Sequence, residues 1–310
     1  MSRKFQSLSP QGLDHRLPPM TLWRKAKKHG IWDPQSIDLS RDAEDWQRCS
    51  DREKEVLLHL TCLFQAGEES VTLDLLPLIQ VIAEEGRLEE EMYLTSFLWE
   101  EAKHVEAFRR FLDEVVGSGE DFSRFESPSY QNIFHQELPD ALRRLRTDSS
   151  PVAQAEASVT YNMIVEGVLA ETGYHAYYTM LAENDLMPGM QKIVGHLKND
   201  ESRHMAYGVF LLSRLVAEHG DEVWQAVEQR MSSLLPVAIG VVNEIFERYD
   251  GDLPFGLNQD TFVQYAMQQF QRRFQRIEKA KNQTLEEVCR IPLDEVDQTR
   301  IDQDGTVQNA

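Results

Sequence analysis

Two short segments of this chain carry the same chemistry. Residues 100–104 read EEAKH and residues 200–204 read DESRH, which makes Glu101 with His104 and Glu201 with His204 the only two E-x-x-H pairs present. On a helix, residues three apart share a face, so each carboxylate projects beside its imidazole. Such a pair can ligate a divalent ion, or it can lie on a surface as an ordinary polar contact. One pair alone is weak evidence, because a chain of this size supplies one by chance about as often as not. The flanking residues sharpen the choice. The stripe around the first pair runs Leu94, Phe97, Glu101, His104, Phe108, Phe111, and around the second Val194, Leu197, Glu201, His204, Gly208, Leu211. Both pairs therefore interrupt an apolar face that must meet a core. An unpaired buried carboxylate costs on the order of several kcal/mol, so these positions require a cation or a proton. A metal ion supplies the charge and also uses a neutral imidazole.

Two further glutamates interrupt apolar stripes in the same way. Glu68 lies in the series Phe64, Glu68, Val71, Leu75, Leu78, and Glu166 in the series Val159, Met163, Glu166, Ala170, Gly173. Glu69 and Glu171 are adjacent competitors for those two roles. A lone Glu, a Glu-x-x-His, a second lone Glu and a second Glu-x-x-His, each on its own helix, make the ligand pattern of dinuclear carboxylate bundles. Four carboxylates and two imidazoles suit two ions of the manganese and iron kind, whereas zinc favours fewer ligands, tetrahedral geometry and thiolates. Asp200, just before Glu201, is either a surface aspartate or an acceptor that fixes a ligand histidine in one tautomer.

These residues need long helices to hold them, and helical periodicity dominates the chain. A capping box at Ser50 and Glu53 opens a helix over about 51–85, and a second covers about 87–116 after Gly86. The stretch from Val115 to Gln131 reads as a loop, followed by a shorter helix over about 130–146. Ser150-Pro151 starts a helix reaching about residue 183, since proline fits the first helical position. Further helices are expected at about 189–219, 221–249 and 258–281. The fold class is thus all-α: an irregular N-terminal segment (1–50), a bundle domain (51–290) and a loose polar tail (291–310). Small residues beside the ligands, Ala170, Gly173 and Gly208, either leave room for a bound chain or allow close helix packing.

Bulk composition narrows the partners. The 310 residues are 41% hydrophobic and 27% charged, with a formal net charge of −20. That acidity opposes binding to nucleic acid and to anionic membranes. The opening residues lack an apolar stretch of signal-peptide length, and nowhere do about 18 apolar residues run together. Cys49, Cys62 and Cys289 form no C-x-x-C pair and suggest no disulfide framework. A cytoplasmic location is expected.

With "GEES", "EEAKH", "YNMIVEG" and "NDESRH" in this order and spacing, the sequence resembles the ribonucleotide reductase small-subunit superfamily over about residues 20–280. The segments "AGEESVT" and "VTYNMIVEG" resemble one branch of it, the R2-like ligand-binding oxidases. The resemblance implies a ferritin-like bundle of four core helices with extra helices added, one that uses O2 as a homodimer. It implies manganese near Glu68, Glu101 and His104 and iron near Glu166, Glu201 and His204, with Glu101 bridging; a di-iron content is the alternative. It also implies a long-chain fatty acid ligand and an ether cross-link between the β-carbon of Val71 and the phenolic oxygen of Tyr161. Phe108 stands where reductase subunits carry a radical tyrosine, and no aromatic residue follows Phe274, so no reductase large subunit is expected as partner. The other readings are a reductase radical subunit and a ferritin- or rubrerythrin-like iron protein.

Overall fold

Ser50 and Glu53 form the expected capping box, with Glu53 accepting from the Ser50 amide at 2.7 Å and Ser50 Oγ accepting from the Glu53 amide at 3.4 Å. The helix they open is one of thirteen α-helices in a computed structural model that describes residues 5–117, 123–251 and 253–290. They are α1 (Pro18–His29), α2 (Ser40–Arg48), α3 (Asp51–Asp74), α4 (Leu76–Glu84), α5 (Leu88–Phe111), α6 (Pro128–Gln131) and α7 (Leu138–Arg144). After them come α8 (Pro151–Ser158), α9 (Glu171–Tyr177), α10 (Pro188–His219), α11 (Asp221–Arg248), α12 (Gln259–Glu278) and α13 (Leu285–Arg290). No strand occurs among the described residues, and the fold is an all-α, ferritin-like bundle. Helix α3 packs on α5, α5 on α10, and α10 on the helical run from Pro151 to Ala182, while α11 and α12 cover that run.

Several elements differ from the sequence expectation. Residues 5–50 are not irregular throughout: they hold α1 and α2. Pro18 and Pro19 occupy the first turn of α1, where their missing amides cost nothing, and Met20, Leu22 and Ala26 are buried. Helix α2 is nine residues of mostly polar sequence, too short for its period to stand out. Its buried carboxylates cap α10 from outside, Asp42 accepting from the Gly189 and Met190 amides at 2.9 and 2.6 Å and Asp45 from the Met187 amide at 2.9 Å. The helix expected over 51–85 breaks at Leu75, because Pro77 cannot donate to the preceding turn. The helix expected over 87–116 ends in a π-helical turn, Leu112–Val116. Within the stretch read as a loop, a 3-10 turn (Ser123–Phe125) and the whole of α6 appear, and residues 118–122 lie outside the described residues. The tail expected to be loose also lies outside them. Among the described residues no helix is long and apolar enough to cross a membrane.

The most consequential departure lies between α8 and α9. The run expected as one α-helix contains a twelve-residue π-helical segment, Val159–Ala170, and a second π-helical turn at Tyr178–Ala182. Glu166 sits inside the first of them.

Candidate dinuclear metal centre

Helices α3, α5 and α10 and the π-helical segment bring Glu68, Glu101, His104, Glu166, Glu201 and His204 together, all of them buried. Their ligand atoms fall into two groups, Glu68–Glu101–His104–Glu201 and Glu101–Glu166–Glu201–His204, each within 4.8 Å of one another. Glu101 and Glu201 belong to both, so the geometry gives Glu201 a shared position as well as Glu101. His104 Nδ1 lies 3.4 Å from oxygens of Glu68, Glu101 and Glu201, and His204 Nδ1 lies 3.3–3.6 Å from oxygens of Glu101, Glu166 and Glu201. The two competitors fall elsewhere. Glu69 is exposed, and Glu171 is buried but accepts from the Tyr265 hydroxyl at 3.2 Å.

Each imidazole is held from behind by a carboxylate on the opposite helix. His104, on α5, directs Nε2 toward Asp200 of α10 at 3.4 Å; His204, on α10, directs Nε2 toward Glu100 of α5 at 2.9 Å. Lys103 donates to Asp200 at 3.1 Å and Arg203 to Glu100 at 2.6 Å, and Arg203 also pairs with Asp200. Trp32, between α1 and α2, donates its indole N–H to Asp200 at 2.8 Å. Gly30 is needed there, since a β-carbon would come 2.0 Å from a Glu100 oxygen. The sequence reading missed Glu100 and Trp32. Aligning the two motifs would have exposed Glu100, because it holds in EEAKH the place that Asp200 holds in DESRH.

The charges show what the site requires. Burial pushes the Glu68 carboxyl up to about 8 against the His104 charge, and burial with the Glu201 charge lifts Glu166 well above the carboxylate range. Burial also opposes ionisation of Glu101, but the two imidazoles outweigh it and hold this carboxyl below its ordinary value. Both histidines, penalised by burial, are nonetheless raised well above theirs by the facing carboxylates. Protons thus gather where cations would. Buried Glu101 Oε2, Glu166 Oε1, Glu201 Oε2 and both histidine Nδ1 atoms have no hydrogen-bond partner. Two divalent ions would satisfy these atoms and balance the four carboxylates, so the donor set fits them.

Tyr161 reaches the same centre, donating at 3.2 Å toward both the Val71 carbonyl and Glu101 Oε1. Tyr161 and Glu166 are five residues apart, which on an α-helix would separate them by about 140°. The wider π-helical turn, with its i→i+5 bonding, brings both toward one face. Asn162 donates to Glu166 Oε2 at 2.9 Å and accepts from Ser158 at 2.8 Å.

A family model described as ribonucleotide reductase, small chain, matches residues 17–282. The chain belongs to that family. Within it, the solved structures place the chain among the R2-like ligand-binding oxidases. An R2-like ligand-binding oxidase from Sulfolobus acidocaldarius is 40% identical with a TM-score of 0.84, the match covering 92% of this chain and 98% of that one. An R2-like ligand-binding oxidase with an aerobically reconstituted Mn/Fe cofactor is 35% identical with a TM-score of 0.85, the match covering 89% and 98% respectively.

Open space lies beside these carboxylates. A cavity begins at Glu68, Glu101, Glu166 and Glu201 and continues between α3, the Val165–Met180 run and α11 over mostly apolar side chains. Ala170 and Gly173 line it. The packing alternative accounts for the glycines, since a β-carbon at Gly173 would come 2.4 Å from the Phe64 ring and one at Gly208 2.3 Å from Asn162. Phe108 is fully buried with its ring stacked 5.1 Å from Phe64, leaving no phenol at that position.

Proposed function

We propose that this chain is an O2-using Mn/Fe oxidase that binds a long-chain fatty acid or similar lipid in the apolar cavity. The observation that carries the proposal is the pair of buried ligand groups sharing Glu101 and Glu201, with unpartnered Nδ1 atoms facing both. Following the resemblance, manganese is assigned to Glu68, Glu101 and His104, and iron to Glu166, Glu201 and His204. Bound there, two redox-active ions supply electrons for O2 reduction and the oxidising power to attack a C–H bond. The chain's own residues do the rest. Four glutamates neutralise the ions, Asp200 and Glu100 fix the imidazole tautomers, and the apolar cavity excludes water. Tyr161 holds its phenol beside Val71, as the proposed Val71–Tyr161 ether requires. That ether removes one hydrogen from the Val71 β-carbon and one from the Tyr161 hydroxyl. The cysteines, free in the structure, support a cytoplasmic address, and Phe108 supports action without a reductase large subunit. A homodimer is the proposed assembly, to be checked by sedimentation.

Anomalous scattering at the manganese and iron edges, on air-exposed protein, tests the metal assignment; zinc or a single ion per chain would refute it. Mass spectrometry tests the ether. Loaded, oxidised protein is expected to weigh two hydrogens less than metal-free protein, with one joined peptide containing residues 71 and 161. Tyr161→Phe is expected to retain both ions and lose the joined peptide.

A further inference from the structure

Among the polar side chains that line the cavity apart from the carboxylates, His59 keeps an unpartnered nitrogen. His59 lies on the cavity face of α3, nine residues before Glu68, which places it about 14 Å away along the helix axis. Its ring is 3% exposed and stacks on Phe125 with centroids 4.9 Å apart. Nδ1 is 3.1 Å from the Tyr249 hydroxyl, whereas Nε2 is buried without a hydrogen-bond partner. Thr172 and Tyr130 also line the cavity, but their hydroxyls already donate to the Val168 and Leu63 carbonyls. Burial, then the Arg248 charge, hold His59 down to about 4 against a weaker pull from the Phe125 carbonyl. The imidazole is therefore neutral near pH 7, with one donor and one acceptor nitrogen. It offers no positive charge to a second carboxylate. It suits a neutral group that can both donate and accept.

We propose that His59 recognises a hydroxyl at the far end of the bound acyl chain, making the preferred ligand an ω-hydroxy fatty acid rather than an unsubstituted one. The inference rests on the fatty acid reading of the cavity. With the ligand carboxylate near Glu68, an extended chain running along α3 brings its other end to His59. A hydroxyl satisfies Nε2 in either tautomer: it donates to the lone pair if Nδ1 carries the proton and accepts from Nε2–H if it does not. The tautomer follows from Tyr249, whose hydroxyl donates to the Glu55 carbonyl at 3.4 Å or turns toward Nδ1. The apolar side chains around this point, including Val242, Phe246 and Leu253, offer a methyl terminus contact but leave Nε2 unsatisfied.

The test uses the full metal-loaded chain, stripped of lipid and incubated with equal amounts of dodecanoic and ω-hydroxydodecanoic acids. Bound acids are extracted from the washed protein and quantified by mass spectrometry. One additional buried hydrogen bond predicts about fivefold enrichment of the hydroxy acid. His59→Leu is expected to abolish or invert that preference with metal content unchanged, and His59→Gln, a neutral donor and acceptor, to retain it. Equal uptake of the two acids by the wild-type chain overturns the proposal and indicates water at Nε2, as does a preference that survives His59→Leu. Uptake of neither acid overturns the fatty acid reading along with it.

Discussion

The crossed carboxylates make a directional prediction about Glu100. This residue sits on α5 beside Glu101, yet the imidazole it contacts is His204 of α10, at 2.9 Å, rather than His104 of its own helix. Glu100→Gln preserves size and one acceptor oxygen but removes the charge that Arg203 and His204 share. A hydrogen bond to a charged group contributes about 1.5–3 kcal/mol and a neutral one about 1. The substitution should therefore weaken the His204-side ion by about 0.5–2 kcal/mol, or roughly 2- to 30-fold. Glu100→Ala removes the acceptor altogether and should reach the 10- to 100-fold range of lost outer contacts. Site occupancies read by anomalous scattering after equilibration against a graded chelator give the two affinities separately. The Glu166-side site should empty first in both variants, while Asp200→Asn should empty the Glu68-side site first. If Glu100→Gln weakens the His104-side ion more, or both ions equally, the crossed arrangement does not control ligand affinity.

Three other outcomes follow from local geometry. Gly208→Ala places a methyl against Asn162, which holds Glu166, and should cost about 1–3 kcal/mol in denaturant unfolding and lower occupancy at the Glu166-side site; Asn162→Leu should lower the same occupancy. Trp32→Phe removes the indole donor from Asp200 and should cost about 1–2 kcal/mol, read from the same unfolding curves, with both ions retained. His59 has a folded pKa lowered from 6.5 to about 4, so the unfolded chain binds the additional proton between those values and stability is lost as pH falls through that window. That loss, up to about 3 kcal/mol, should be seen in metal-free melting curves of the wild type and be absent from His59→Phe.

The ligand helices were legible because burying a charged residue on an apolar stripe has so few solutions. Glu101, His104, Glu201 and His204 announce themselves by type, spacing and stripe together, and Glu68 and Glu166 by stripe alone. What could not be read was geometry that departs from the α-helical period. Tyr161 falls off the Glu166 face at 100° per residue and returns to it only through the π-helical segment, so periodicity gives no reason to place the two together. The N-terminal helices were hidden for another reason. Their work is polar and long-range: Asp42 and Asp45 cap a helix about 145 residues later, and Trp32 reaches Asp200. A carboxylate acting at that separation looks like any surface acid until the chain has folded.

The crossing also explains why the motif occurs twice. Within one copy, the glutamate three residues before the histidine shares its face, so the imidazole presents Nδ1 to that glutamate and points Nε2 away across the helix interface. The acceptor for Nε2 must then come from the facing helix. An approximate two-fold relation between α5 and α10 supplies it, because the acid preceding each glutamate lands behind the other helix's histidine. The basic residues follow the same exchange, Lys103 pairing with Asp200 and Arg203 with Glu100. The outer layer of Asp200, Glu100, Lys103 and Arg203 is thereby neutral, and the four inner glutamates are left to balance two divalent ions. Each copy of the motif completes the other: one copy alone would leave a buried imidazole without its acceptor, and Lys103 without Asp200, whereas Arg203 keeps Asp200 of its own helix.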